Sequence, residues 1–215
     1  MLNEMRFGRM QPDSIRAFQS LSRPIQYDDG LEATELFPRR EDVDRSNSTR
    51  LNALNTDGWT YTATDGGSLT DPVQRDKLLA NFMANKSLPL KVDAQVMLIK
   101  NMDESLVNGS MGRIIGFCHK QMWEIQPNGE WQKEDTWDDT MSEEEIQRKK
   151  KQMALLESKL SHSAPLPVVR FKVPGGGFRD QIIDFDIFKV ELPNGEVQVS
   201  RTQVRLRSLS ACHSA

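Results

Sequence analysis

The residues best able to do chemistry in this chain are its cysteines, histidines, paired carboxylates and clustered glycines, and none of these sets forms a complete site. Two cysteines, Cys118 and Cys212, stand against three histidines, His119, His162 and His213. Metal centres draw such residues from short repeated spacings, and no such spacing is present. Cys118 and His119 are adjacent; on a strand their side chains point to opposite faces, a poor arrangement for one ion. A reduced thiol without metal or disulfide is expected. Asp103-Glu104 follows the apolar run Val96-Met-Leu-Ile99, where a magnesium-holding carboxylate pair could stand. Lys100-Asn-Met102 intervene and Asn108-Gly109 soon reverses the chain, so a turn is the favoured reading. Pro174-Gly-Gly-Gly177 holds the only run of three glycines. It is flanked by strands, with no helix N-terminus to receive an anion, and reads as a hairpin tip. No G-x-x-x-x-G-K-[ST] loop occurs, so a nucleotide's phosphates have no backbone cradle. Nothing here would catalyse a reaction alone.

The elements that would carry these residues change character near the middle. Pro12-Asp-Ser-Ile starts a short helix, which Ser22-Arg-Pro24 breaks. Glu35-Leu-Phe37 is a short strand. Residues 41–54 have sparse apolar positions, Val43, Leu51 and Leu54, and predict a solvated helix with one narrow buried face. Trp59-Thr-Tyr-Thr-Ala63 alternates like a half-exposed strand. Asp71-Pro72 caps a helix running to about Met83, and Ala94 to Ile99 is short and apolar enough for a buried strand. Strand and helix alternating from 35 to 99 predict an α/β domain. Beyond Asn108-Gly109, the segments Ile114–Cys118, Val168–Val173, Ile182–Leu192 and Val197–Val199 are short strands. Turns at Asn128-Gly129, Pro174–Gly177 and Asn194-Gly195 separate them, as in a small antiparallel barrel. A charged insertion, 130–163, interrupts it. There Ser142 and Glu145 form a capping box, and Ile146, Met153, Leu156 and Leu160 make a thin apolar stripe on a solvated helix.

Composition narrows the function classes. Lys and Arg number 28 against 31 Asp and Glu, a net charge of −3, with pI near 5.7 and mean hydropathy −0.58. A uniformly basic nucleic-acid binder is excluded, but a local basic groove is not. No apolar run approaches the roughly 20 residues that cross a bilayer, so no membrane association is expected.

Four stretches in order carry a family resemblance. They are Leu2-Asn-Glu-Met-Arg-Phe-Gly8, the run from Thr34-Glu-Leu-Phe-Pro-Arg-Arg-Glu to Asn47, the run from Leu90-Lys-Val-Asp-Ala-Gln-Val to Ser110, and Glu191-Leu-Pro-Asn-Gly-Glu-Val to Val204. Together they resemble the Pif family of ATP-dependent DNA helicases, RecD-like members of superfamily one. The resemblance implies a fold of α/β plus β: an incomplete RecA-like motor domain with an inserted SH3-like β-barrel carrying a charged helix. It divides the chain into a tail of the first motor domain and linker (1–29), a partial second motor domain (30–110), the barrel (111–200) and a return segment with a divergent tail (201–215). Asp93 stands where the family usually has glycine. After Val204 the resemblance stops, which implies a piece of a longer helicase or a broken gene model. The motor half would then present an unpaired sheet edge and be less stable than the barrel, and Cys212-His213 would fray.

The same resemblance implies roles. Arg40, or Arg39 beside it, would reach the γ-phosphate of ATP held with magnesium by the intact family; this chain alone would bind neither. A cap salt bridge to Glu41, Asp42 or Asp44 is the simpler alternative for Arg40. Lys100, Asn101, Asn108 and Ser110 would contact single-stranded DNA, weakly or not at all in the isolated piece, with Arg201 and Gln203 weaker candidates. Trp123 belongs to the barrel core, whereas Trp131 and Trp137 lie in acidic surroundings that disfavour phosphates. The expected function is a monomeric part of a 5′-to-3′ DNA helicase of the replication, repair and telomere-maintenance class, nuclear or mitochondrial, inactive alone. The alternative is a non-enzymatic module binding single-stranded DNA or a protein.

Overall fold

The computed structural model describes residues 2–22, 31, 33–123, 142–160, 164–209 and 211–213. The chain forms two compact units, Met1–Gly30 and Leu31–Ala215. In the first, α1 (Leu2–Arg6) and α2 (Pro12–Ser20) bury no residue. Pro12 sits at the start of α2, where its missing N–H is no loss.

The second unit begins with β1 (Glu35–Phe37) and α3 (Arg40–Ala53). Only Val43 and Leu51 of α3 are buried, the narrow stripe that its polar sequence dictates. Arg50 of α3 pairs with Glu35 of β1 at 2.9 Å. β2 (Gly58–Thr62) pairs antiparallel with β4 (Ser87–Lys91). Between them lie β3 (Thr64–Gly66) and α4 (Pro72–Ala80). Asp71 caps α4, its carboxylate accepting from the amides of Val73 and Gln74 at 2.9 and 3.5 Å. β4 was not legible as a strand because of Pro89. That proline is tolerated in a two-stranded ribbon, where one edge needs no N–H donor.

Most of the remaining strands build two sheets. β11 (Leu206–Ser208), β5 (Gln95–Leu98), β6 (Met111–Cys118), β7 (Leu166–Lys172) and β8 (Phe178–Ile182) lie in that order, each pair antiparallel. A three-stranded sheet runs β3, β10 (Val197–Val204), β9 (Phe185–Glu191). β12 (Ala211–His213) pairs with β1. Two further helices, α5 (Lys120–Trp123) and α6 (Glu143–Leu160), precede β7. The capping box holds: Ser142 N donates to Glu145 Oε2 at 3.1 Å, and Glu145 N to Ser142 Oγ at 3.4 Å. Ile146 is half-buried and Leu155 exposed. The side chains of Met153, Leu156 and Leu160, the Asn128-Gly129 turn, Trp131 and Trp137 lie outside the described residues.

The fold is mixed helix and sheet, as expected, and departs from the sequence reading in three respects. First, β1–β12 is the one parallel pair among the described residues, because β2, β3 and β4 fold back on antiparallel partners instead of crossing over. Second, Ile182–Leu192 is two strands: Ile183 and Asp184 step the chain from the sheet of β8 to that of β9, with Ile183 N donating to Pro167 O at 2.9 Å. The strands assigned to one barrel are therefore shared between two sheets. Third, the segment after Val204 continues the fold, β11 covering the edge of β5 and β12 that of β1.

One hydrophobic core spans residues 51 to 206. Tyr61, Leu88, Leu90, Val96, Leu98 and Leu106 pack in the same cluster as Ile114, Val169, Phe171, Ile183, Val204 and Leu206. Alternation along β6 sends Gly112, Ile114, Gly116 and Cys118 inward. At Gly112 a Cβ would come within 2.6 Å of the Arg170 carbonyl, so only glycine permits this approach of β6 to β7. A satellite cluster of Cys118, Leu166, Val168 and Ile182 takes Trp123 against it.

Candidate nucleic-acid interface

The connection from β5 to β6 brings Lys100, Asn101, Asn108 and Ser110 into one tight turn. Its two ends are zipped together: Gly109 N donates to Leu98 O at 2.8 Å and Leu98 N to Ser110 O at 2.9 Å. Gly109 has φ +96, the left-handed geometry that Asn108-Gly109 predicts. Leu106 is fully buried and anchors the loop to the core.

The four residues divide by role. Asn101 Oδ1 accepts from the Asn108 amide at 2.7 Å, and Ser110 Oγ from the Val107 amide at 3.0 Å. These two oxygens build the turn. Asn108 is exposed. Lys100 is partly exposed, and its ammonium donates to Asp186 Oδ1 at 2.9 Å and to Ile187 O at 3.1 Å. It also stands 5.7 Å from the ring centre of Phe188. Asp186 holds a second cation, Arg205, whose Nε lies 3.3 Å from Oδ2. Burial would raise the Asp186 pKa, but the Lys100 hydrogen bond and the surrounding charge outweigh it and lower the value.

Asp103 belongs to this turn and is not half of a metal site. Its Oδ1 accepts from Ser105 N, Ser105 Oγ and Leu106 N at 2.9, 2.8 and 3.0 Å. Arg179 Nη1 donates to its other oxygen at 2.8 Å. The Ser105 hydroxyl, with these partners, holds the carboxyl far below the usual range. No group of three or more potential metal ligands exists among the described residues.

Arg39 and Arg40 stand at the start of α3, both exposed, Arg39 extended as the N-cap residue. Among the described residues neither makes an ion pair. The bridge to Glu41, Asp42 or Asp44, the alternative reading of Arg40, is not formed among the described residues; Asp42 lies instead 3.8 Å from Arg45.

Arg201 and Gln203 are structural and cannot reach a ligand. Arg201 is buried, its guanidinium donating to both oxygens of Asp65 at 2.7 and 2.8 Å and to Ala84 O at 3.0 Å. Gln203 is fully buried and donates to Tyr61 O and Asn85 O at 3.1 and 2.9 Å. Cys118 is a buried thiol whose pKa burial pushes up to about 12. Sequence reasoning missed Asp186, Arg205 and Arg179, whose partners lie far away along the chain.

Comparison with known proteins agrees with the resemblance. A profile described as DNA helicase Pif1, 2B domain, matches residues 75–117, from within α4 to near the end of β6. The ATP-dependent DNA helicase PIF1 of Emericella nidulans is 41% identical over 209 residues, covering 96% of this chain and 28% of that protein. The crystal structure of Pif1 helicase from Candida albicans superposes with TM-score 0.69 at 33% identity, over 99% of this chain and 42% of that one. Bacteroides Pif1 bound to single-stranded DNA shares the fold at TM-score 0.50 and 15% identity, over 99% of this chain and 38% of that one. The chain thus spans less than a third of the length of its first curated relative.

Proposed function

Because this chain belongs to the Pif1 family of DNA helicases, we propose that it supplies a DNA-contacting part of an ATP-dependent 5′-to-3′ helicase and does not hydrolyse ATP by itself. The observation that carries this reading is the β5–β6 turn. It sits at the end of a buried strand, is held rigid by its own hydrogen bonds, and presents a lysine, an amide and a hydroxyl to solvent. Those are the groups that hold a phosphodiester without reading its base. A rigid turn keeps them in place without an ordering cost at each step along the strand.

In this reading the second unit combines part of a RecA-like motor domain with an inserted SH3-like module. The family match beginning at residue 75 and the core running through residue 110 favour a module boundary earlier than 110. The nucleotide chemistry of the longer relatives would draw on more than the part that this chain spans. When ATP and magnesium bind, they supply the phosphoryl-transfer energy of the intact helicase. The residues here offer at Arg40 a guanidinium with no ion pair among the described residues, with Arg39 beside it, and the sequence has no phosphate-cradling loop, so they do not form a nucleotide site of their own. Arg40 would stabilise γ-phosphate charge from across a shared cleft. The protein acts as a monomer on single-stranded DNA, in nucleus or mitochondrion. Among the described residues no helix is long and apolar enough to cross a membrane.

The test is two measurements on the purified chain. DNA-stimulated ATP hydrolysis should be absent, and anisotropy of a labelled oligothymidine should show binding that falls steeply with salt. Robust ATP turnover would overturn the claim of inactivity. Failure to bind at low salt would remove the DNA-contacting role.

A further inference from the structure

Lys100 and Arg205 converge on one carboxylate, and the geometry of that cluster suggests more than a salt bridge. The two cations occupy different oxygens of Asp186, Lys100 Nζ at 2.9 Å from Oδ1 and Arg205 Nε at 3.3 Å from Oδ2. They are brought side by side by the backbone: Ile99 N donates to Arg205 O at 3.0 Å, so the residues after β5 and β10 lie against each other. The Ile187 amide completes the cluster, donating to Asp186 Oδ1 at 2.7 Å. Arg205 Nε is buried and has no hydrogen bond of good geometry, Asp186 being its ion-pair partner alone. Lys100 keeps 43% of its side chain in solvent and Asp186 keeps 25%.

We infer that Lys100 is an anion site for a phosphodiester of single-stranded nucleic acid, that Asp186 is its internal competitor, and that Arg205 is the buried cation that keeps the carboxylate when Lys100 leaves it. Resting on the reading of the β5–β6 turn as a DNA contact, it gives Asp186 an opposing role and Arg205 the role of holding that carboxylate, so that R205Q would leave Asp186 to Lys100 alone. The chemistry follows from counting charge. Lys100, Arg205 and Lys120 stand against Asp186 and Asp184, whose charge Arg205 also feels, and leave a net single positive charge. An arriving phosphate oxygen can therefore take Lys100 from Asp186, while Arg205 retains the carboxylate. The ammonium is a compact charge with three rotatable donors, so it accepts a carboxylate or a phosphate oxygen alike and can keep its bond to Ile187 O during the exchange. The competitor weakens binding, and a part that must move along a strand needs weak, exchangeable contacts.

The experiment is salt-dependent binding of fluorescein-labelled oligothymidine to the full chain, wild type against D186N, K100Q, R205Q and K100Q/D186N. D186N removes the competitor's charge with little change of shape. It should bind roughly 3- to 10-fold tighter at moderate salt, with a salt slope steeper by about one phosphate contact. K100Q and R205Q should each weaken binding, and K100Q/D186N should lose most of the gain. If D186N melts well below wild type, D186S provides the same loss of charge, and its gain over wild type is read instead. If K100Q weakens binding but neither Asp186 variant tightens it, the competitor is refuted and the underlying DNA contact stands. If K100Q binds as wild type does, or no protein binds, the DNA contact falls and this inference with it.

Discussion

Replacing Arg201 by alanine should be among the most damaging single changes in the chain. The guanidinium bridges β10 to Asp65 of β3 with two parallel bonds, at 2.7 and 2.8 Å, and reaches the carbonyl of Ala84 at 3.0 Å. The side chains keep 8% and 15% of their surface in solvent. Truncation leaves a largely buried carboxylate without its counter-charge and a carbonyl without its donor, which costs about 3–5 kcal/mol. R201K keeps the charge and loses the fork, and should cost roughly half as much. Urea melts followed by tryptophan fluorescence measure both, with D65A and the double variant closing a cycle. A coupling of about 1.5–3 kcal/mol is expected between residues in such contact. The pH dependence gives a second reading. Hydrogen bonding to Arg201 lowers the Asp65 pKa below its ordinary value, against a smaller opposing effect of burial. A depressed carboxylate contributes stability that is present above its unfolded pKa of about 4 and is lost as pH falls toward the folded value. Wild type should lose that increment on acidification and R201A should not. A cost below about 1 kcal/mol for R201A, or single effects that add to within about 0.5 kcal/mol, would refute the brace.

Two further outcomes follow from local geometry. Asp93 has φ +68 in the turn where Ala94 N donates to Lys91 O at 3.1 Å. Relief of about 1–2 kcal/mol of left-handed strain, less about 0.4–1 kcal/mol for glycine's freer unfolded chain, predicts that D93G stabilises the fold by roughly 0.5–1 kcal/mol. A lower melting temperature for D93G would show that the aspartate side chain makes a contact of its own. Cys118, buried and with its pKa raised to about 12, should label slowly with thiol reagents in the native protein and rapidly in urea. Equal labelling rates would mean that the end of β6 opens freely.

What could be read from the sequence was local. Asp71-Pro72 and the Ser142–Glu145 box fixed helix starts because a cap and its amides lie within four residues of each other. Val96 to Leu98 was legible as a buried strand, and Asn108-Gly109 as the turn that gathers the candidate DNA contacts, for the same reason. What failed depended on distance along the chain. Arg201 and Gln203 look like available polar groups in an alternating strand, yet their partners lie 117 to 142 positions away. Lys100 was recognisable as a cation in a useful place; that Asp186, 86 positions on, already holds it was not. The strands after Val204 were not legible because the tail carries no motif or turn signal of its own, although Leu206 and Leu209 both enter the interior and the Candida albicans Pif1 structure superposes over 99% of the chain.

The interior that unites Leu88 and Val96 with Val169 and Phe171 has an engineering consequence. A chimaera joined between relatives at the β5–β6 turn would place unmatched side chains on the two sides of a single close-packed interior and repack every layer at once. A graft that exchanged residues 31–213 together would keep each of those neighbours with its present partner, so that interval is the one to exchange as a unit.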